Sequence, residues 1–507
     1  MPAAESGVAV AMAAALRYKT RMKLYRPESV YRLDQAAFRV DGFAETELMQ
    51  RAGEAVWRAI DQRWPQLSRI TVFAGSGNNG GDAFVVALCA KRQGVEVQLL
   101  VQGDLSRQSA TSRHFREAWE HGGGVCEPWQ GQQLDGEIIV DGLLGIGLQR
   151  ELNQDWQQLV AAINRHPAPS VAIDIPSGLN GLTGIAQPVA VEASLTVTFI
   201  GRKTGQFLAD GPDYCGELLF DDLGVSGFVR GSEPAALEVI ESCALPSPRR
   251  RNSHKNNYGN LLVVGGDQGM SGAVTLAARA ALRSGAGLVT ALVHPECRNN
   301  LAAFPEIMVL GWDALDAKLA DASVVIVGPG LGQGSAAREC LERLRSAEQP
   351  MVIDASALDA DFLHSLKAPQ RIITPHPGEA AKLLSSSGAE VQANRLQACE
   401  RLLAEFNATT VLKGSGTLIG EPGVTRLAIN TRGNPGMASA GMGDVLSGII
   451  AALLGQGLPA FEAARSGVYI HALCAESWSR DRDQSGLIAG DIIDQIPLVM
   501  RQLRDTG

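Results

Sequence analysis

No apolar run in the 507-residue chain approaches the roughly 20 residues that a bilayer-spanning helix needs, so no membrane partner is expected. The segment Gly7–Leu16 is apolar but short, and Glu5 is the only charge before it, whereas a signal peptide needs a basic stretch there and a cleavage site afterwards. It reads as a disordered or alternatively started tail, with Met22 as the working start. The 8 cysteines show no CxxC pair and no metal-ligand spacing, which excludes a zinc ribbon or disulfide framework and fits reduced thiols in the cytoplasm. Positive charge is in deficit: 45 Lys and Arg against 54 Asp and Glu leave −9, which argues against general nucleic-acid or membrane-surface binding. The one basic run, Arg249-Arg250-Arg251 with His254 and Lys255, lacks an aromatic platform and reads as a solvated linker. A Walker A loop is missing as well, since Gly201-Arg202-Lys203-Thr204 has neither the earlier glycine nor the strand–loop–helix setting. What the chain has in quantity is glycine, 56 residues, which points to many tight turns and close backbone approaches.

Two series of strands alternate with helices, the mark of α/β architecture with parallel sheets covered on both faces. The first has strands predicted at Ile70–Ala74, Glu96–Val101, Glu137–Asp141, Ser170–Ile175 and Leu195–Ile200, with helices over Asp82–Gln93 and Asp155–Arg165. The second has strands at Asn260–Gly265, Gly287–Val293, Ser323–Val327, Met351–Asp354, Arg371–Thr374 and Thr409–Lys413, then helices at Gly443–Leu454 and Pro459–Trp478. Between them Gly, Pro, Ser and Arg dominate. The expected layout is therefore a domain over 24–230, a linker over 231–256 and a second domain over 257–507. The halves share no motif, so a fusion is expected, with a Rossmann-like parallel-sheet sandwich first.

The first strand runs into Gly75-Ser76-Gly77-Asn78-Asn79-Gly80-Gly81-Asp82. The glycines satisfy GxGxxG at a strand-to-helix turn, yet Asp82 would repel a pyrophosphate laid against it. Two more strand ends are polar: Asp141-Gly142-Leu143-Leu144-Gly145, and Asp174-Ile175-Pro176-Ser177-Gly178. Ligands of open α/β sheets sit beyond the carboxyl ends of the strands, so these three ends converge on one crevice. They could also be plain caps and turn formers. The three segments resemble the NAD(P)H-hydrate epimerase family over about Leu24 to Leu223. That resemblance implies substrate contact by Asn78, Asn79, Gly80, Gly81, Asp82, Gly145, Ile146, Gly147, Leu148, Gln149, Arg150, Glu151 and Asp174, with Asp174 catalytic. It also implies a potassium ion on Asn79, Asp141 and Ser177. Lys203, in Gly201-Arg202-Lys203-Thr204-Gly205, could add charge at the site, with an exposed loop lysine as the default reading. Ala83 and Ile146 depart from the usual glycine and threonine.

The strongest local signal is Asn434-Pro435-Gly436 through Ala440-Gly441-Met442-Gly443-Asp444. Small residues lead into a helix whose first N–H groups are free to take an anion. Asp444, in the first turn, is expected to be ionised by the helix dipole. A carboxylate beside an anion hole suits phosphoryl transfer to a hydroxyl. The motif is similar to the GxGD of the ribokinase-like superfamily. Gly265-Gly266-Asp267, Gly328-Pro329-Gly330, Thr374-Pro375-His376-Pro377-Gly378-Glu379 and Lys413-Gly414-Ser415-Gly416-Thr417 follow the order found in ADP-dependent NAD(P)H-hydrate dehydratases. The match spans about Ser253 to Leu503. It implies that Lys413, Gly414, Ser415, Gly416, Thr417 and Gly443 hold the nucleotide. Ala273, Gly330, His376 and Asp444 would then contact the hydrate, with Asp444 catalytic. A lone histidine between prolines is otherwise a structural hydrogen-bonder.

The combined expectation is a cytoplasmic homo-oligomer that repairs hydrated NADH and NADPH, using ADP, magnesium and potassium, with no nucleic-acid partner. Rival readings are a vitamin-pathway kinase, which would release a stable phosphomonoester, and an N-terminal binding module. A Rossmann dehydrogenase is a weaker rival, because no clear ribose-binding acid follows the second strand.

Overall fold

The computed structural model describes residues 22–148 and 150–506. The chain forms two compact units, one over Lys23–Leu237 and the other from Glu238 onward. Among the described residues no helix is long and apolar enough to cross a membrane.

The N-terminal unit is built on strands β1 (Arg69–Ala74), β2 (Glu96–Val101), β3 (Glu127–Pro128), β4 (Ile139–Gly142), β5 (Ser170–Ile173), β6 (Leu195–Phe199) and β7 (Glu217–Asp221). They lie in the order β3-β2-β1-β4-β5-β6-β7, every pair parallel. The inner strands are buried throughout because helices cover both faces, which is why they read as near-continuous apolar runs. The order reverses between β1 and β4, and that switch point opens the crevice expected of such sheets. Helices α1 (Glu45–Arg63) and α2 (Asn78–Arg92) cross there at close range. A Cβ on Gly53 would fall 2.4 Å from that of Val85, and one on Gly81 would fall 2.4 Å from Met49 Sδ. A short parallel pair, Lys23–Tyr25 with Arg202–Lys203, closes one side.

The C-terminal unit has strands β8 (Asn260–Val264), β9 (Leu288–Val293), β10 (Met308–Gly311), β11 (Val324–Val327), β12 (Met351–Ile353), β13 (Arg371–Ile373), β14 (Thr409–Leu412), β15 (Thr417–Gly420) and β16 (Leu427–Asn430). Their order is β10-β9-β8-β11-β12-β13-β14-β15-β16, parallel up to β14 and antiparallel after it. Helix α3 (Ser271–Arg283) packs on α4 (Met442–Gly455), which is apolar all round and buried. The two backbones meet at Gly448, where a Cβ would lie 2.2 Å from Ala277 O.

The segment 231–256, expected as a linker, is in part built into the fold. It holds the strand Leu237–Val239, with Leu237 and Ile240 buried and the Ile240 N–H donating to Ile429 O at 2.9 Å. Gly and Pro around it hid a three-residue strand too short to show a period.

Candidate active sites

In the N-terminal unit α2 begins at Asn78, four residues before the predicted start, so Asn78 to Asp82 form its first turn rather than a loop. Gly77 is the cap and supplies no side chain, which leaves the leading N–H groups open. Only glycine fits the approach: a Cβ on Gly75 would lie 1.8 Å from Leu143 O, and one on Gly80 would lie 2.0 Å from Gly75 O. The turn after β1 is thereby pressed against the turn after β4.

Asn79, Asp141 and Ser177 come together at this point, around the backbone of Leu144. Asn79 Nδ2 donates to Leu144 O at 3.1 Å, and the Leu144 N–H donates to Ser177 Oγ at 2.8 Å. The Ser177 hydroxyl and N–H donate to the two Asp141 oxygens at 2.6 and 2.8 Å. Asp141 is fully buried, and burial pushes its carboxyl up to about 6, opposed by the Ser177 and Leu143 bonds. One carboxylate with amide, hydroxyl and carbonyl oxygens is a donor set that fits a large, weakly hydrated cation better than magnesium.

Asp174 has φ 65, a left-handed backbone that non-glycine residues rarely adopt. Its N–H donates to Val197 O at 2.8 Å, and Gln206 Nε2 donates to its carbonyl at 2.8 Å. Thr198 Oγ1 and the Phe199 N–H donate to its carboxylate at 3.1 and 3.2 Å. Lys203 forms an ion pair with the same carboxylate, and here the sequence reading needs correction. Lys203 is not an exposed loop lysine but is 1% exposed, folded inward by the pairing of its strand with Lys23–Tyr25. Its Nζ also donates to Thr198 Oγ1 at 2.9 Å. Two further acids surround this lysine. Burial raises Asp34 to about 7, against Lys203 and assisted by Asp174. Burial, then Asp174 and Asp34, raise Asp82 well above its usual range, against Lys203. Sequence reasoning missed Asp34 as a site residue, because no local motif marks an acid on the helix Pro27–Ala36.

Of the remaining residues, Gly145 lies against Asn79, where an added Cβ would be 3.5 Å from that of Asn79. Ile146 and Leu148 pack partly into the core, while Gly147, Arg150 and Glu151 are exposed. Gln149 lies outside the described residues, as do residues 1–21 of the expected tail.

In the C-terminal unit the strand ends β8, β11, β12, β13 and β14 converge. Gly265 and Gly328 let them touch: a Cβ on the first would meet Pro329 O at 1.9 Å, and one on the second would meet Asp354 O at 1.7 Å. Gly330 has φ +59, and a Cβ on it would meet Met270 O at 2.4 Å and Ala273 Cβ at 3.2 Å, so the two expected hydrate contacts are neighbours. His376 caps the helix Pro377–Leu383, its Nδ1 accepting from the Gly378 and Glu379 N–H groups at 3.0 and 3.3 Å. In a neutral ring the proton then sits on Nε2, and the side chain is 56% exposed. One imidazole can thus serve structure and ligand at once.

Helix α4 starts after Gly441 (φ 84) with no side-chain cap, leaving the N–H groups of Met442 and Gly443 open, as expected. Beside them Lys413 Nζ reaches Asp354 Oδ1 at 2.9 Å and Glu379 Oε2 at 3.7 Å. A Cβ on Gly443 would stand 3.2 Å from that nitrogen, which places Gly443 and Lys413 together. Ser447 Oγ donates to Asp354 Oδ2 at 2.7 Å. Burial opposes the charge on Asp354, but Lys413, Ser447 and Thr374 outweigh it and hold the carboxyl below its usual range. Asp444 behaves otherwise than expected. Burial, then Asp354 and Glu379, raise it to about 7 against Lys413, so burial and the neighbouring acids together override the helix dipole. Sequence reasoning did not single out Asp354, whose role depends on β12 lying between β11 and β13.

Each unit thus sets an uncapped helix start beside a lysine ringed by three carboxyl groups, at the carboxyl ends of a parallel sheet. That arrangement defines a two-site α/β enzyme. Comparison with known proteins agrees. Residues 261–498 match the family model described as NAD(P)H-hydrate dehydratase, and residues 45–205 match that described as YjeF-related protein N-terminus. The bifunctional NAD(P)H-hydrate repair enzyme Nnr of Coxiella burnetii is 40% identical over 94% of this chain and 99% of its own length. The Escherichia coli enzyme of the same name is 40% identical over 93% of each. A Bacillus subtilis ADP/ATP-dependent NAD(P)H-hydrate dehydratase, co-crystallised with ATP and Mg2+, is 30% identical over 51% of this chain and 94% of its own, with a TM-score of 0.46. The chain belongs to the bifunctional NAD(P)H-hydrate repair enzymes, and it combines an epimerase with a dehydratase.

Proposed function

We propose that the N-terminal domain interconverts the R and S epimers of hydrated NADH and NADPH, and that the C-terminal domain dehydrates the S epimer with ADP, releasing AMP and phosphate. The observation that carries the second half is Asp444: a carboxyl titrating at about 7 beside an uncapped helix start. A base of that strength works at neutral pH. Asp444 takes the proton of the C6 hydroxyl as its oxygen attacks the β-phosphorus of ADP. The N–H groups of Met442 and Gly443 face the transferring phosphoryl oxygens, and AMP departs. The ring nitrogen's lone pair then expels phosphate, and loss of a proton from C5 restores the dihydropyridine. Lys413, Gly414, Ser415, Gly416, Thr417 and Gly443 hold the nucleotide, while Ala273, Gly330 and His376 orient the hydrate. Magnesium, when bound, would come with the nucleotide phosphates and supply positive charge there, since Asp354 is already engaged by Lys413 and Ser447, and Glu379 by the His376 N–H.

In the first site the substrate lies over Asn78–Asp82, the loop Gly145–Glu151 and Asp174. Asn79, Asp141 and Ser177 would hold potassium, which supplies positive charge and rigidity to the turns. Asp174 is the catalytic carboxylate, fixed by Lys203. The protein acts on small molecules in the cytoplasm as a homo-oligomer. Exposed Tyr31, Val40 and Phe228, on elements that pack together, support self-association.

The test is to mix the enzyme with an equal mixture of the R and S epimers of hydrated NADH, ADP and magnesium, and to follow the reduced-ring absorbance and the released products. Full return of absorbance with one AMP and one phosphate per ring supports both halves. Return of only part of the ring removes the epimerase. A stable phosphomonoester in place of phosphate makes the C-terminal unit a kinase.

A further inference from the structure

Among the described residues Arg395 is the largest fully buried side chain, 2% exposed at the start of the helix Arg395–Phe406. A buried guanidinium ordinarily has a carboxylate opposite it. This one has none among the described residues: its Nη1 donates to Gln392 Oε1 at 2.9 Å, and every other acceptor is a main-chain carbonyl. Those carbonyls belong to Leu412, Lys413 and Gly416, at 3.2 to 3.3 Å. Nε is buried without a partner. The fork therefore grips the turn 412–416 from beneath. The turn itself is shaped for the grip: Gly414 has φ +138, and a Cβ on it would lie 2.6 Å from Arg395 Nη1. With its carbonyls drawn inward, the turn exposes Gly414 and Ser415. Among the described residues no carboxylate pairs with this guanidinium, so its charge is spent on the turn's own carbonyls.

We propose that Arg395 is a positioning residue for the nucleotide: by holding the carbonyls of Leu412, Lys413 and Gly416 inward it fixes the 413–417 turn in the shape that receives the phosphates of ADP. The inference rests on the nucleotide reading of that turn given above. Arg395 does not touch the nucleotide but acts through the backbone it holds. Lysine would keep the charge but lose the planar fork that reaches several carbonyls at once.

The test uses the full-length protein and ADP. Arg395→Lys is expected to raise KM for ADP about tenfold, leaving kcat at saturating ADP and KM for the hydrate near wild type. Hydrogen exchange of the 413–417 amides should speed up in the same variant, and epimerase activity should not change. Equal changes in both KM values, or a fall in kcat with KM for ADP unmoved, would overturn the proposal. Should Arg395→Lys fail to fold, Gln392→Ala removes only the side-chain acceptor; a rise of about twofold in KM for ADP supports the proposal, and no rise overturns it. Ser415→Trp, an exposed substitution, separates the two levels. If it leaves ADP binding by calorimetry intact, the nucleotide reading itself fails; if it abolishes binding while Arg395→Lys does not weaken it, only the role of Arg395 fails.

Discussion

Replacing Asp444 with Asn should remove the dehydratase base and, at the same time, make the C-terminal unit harder to melt above neutral pH. In the folded chain the group titrates at about 7, against 3.8 for an ordinary aspartate. Between those values the unfolded chain gives up the proton and the folded chain keeps it. The contribution of Asp444 to stability is therefore greatest below pH 3.8, is lost as pH rises, and levels off above about 7. The full span corresponds to ~4 kcal/mol, and partial exposure with screening brings it to roughly 2. Asn, which cannot ionise, escapes that loss. The variant should melt roughly 4–8 °C higher than wild type at pH 8, with most of the gain gone at pH 5. Its dehydratase turnover should fall by ~10²–10⁴, and the rise in wild-type rate up to about pH 7 should disappear with it. Melting by fluorescence and return of reduced-ring absorbance read the two effects on one sample. A variant that keeps more than about a tenth of its turnover, or that gains equally at both pH values, would refute the assignment of Asp444 as a buried base.

Lys203→Met should abolish epimerisation and destabilise the N-terminal unit by ~3–5 kcal/mol, because it leaves the Asp174 carboxylate buried without its partner; selective loss of epimerase activity and an early melting transition would check this. Asp141→Ala should weaken hydrate binding and cost epimerase activity but spare the dehydratase, and crystals soaked in rubidium or thallium should show anomalous density among Asn79, Asp141 and Ser177. Density that holds only water under potassium-rich conditions would remove the cation. Gly75→Ala should disrupt the first site alone, since its Cβ would fall 1.8 Å from Leu143 O; unchanged epimer exchange would contradict that packing.

The inner strands and their helices were legible because burial on both faces leaves apolar runs too long to mistake. Edge and hairpin strands were not. Glu217–Asp221 is only partly buried at the sheet edge, Glu127–Pro128 is two residues long, and the β15–β16 hairpin lies beyond the alternating pattern. Among site residues, those at strand ends with small neighbours, such as Asn79, Asp141 and Ser177, could be read and are brought together as expected. The residues that set ionisation could not. Lys203 was misread because its burial depends on a strand some 180 residues earlier in the chain, at Lys23–Tyr25. Asp444 was misjudged because its helix was visible locally, while its burial and the approach of Asp354, after β12, and Glu379, on the helix Pro377–Leu383, are set by the tertiary fold.

The lysine ringed by three carboxyl groups in the C-terminal site should also couple nucleotide binding to protonation. Near pH 7 Asp444 is about half protonated, so a phosphate chain settling beside it favours the protonated form and draws a proton from the solvent. Nucleotide binding and proton uptake are then linked, and each strengthens the other. The heat of ADP binding should therefore change with the ionisation enthalpy of the buffer, and the affinity should fall as the solution is made alkaline, although ADP itself no longer titrates there.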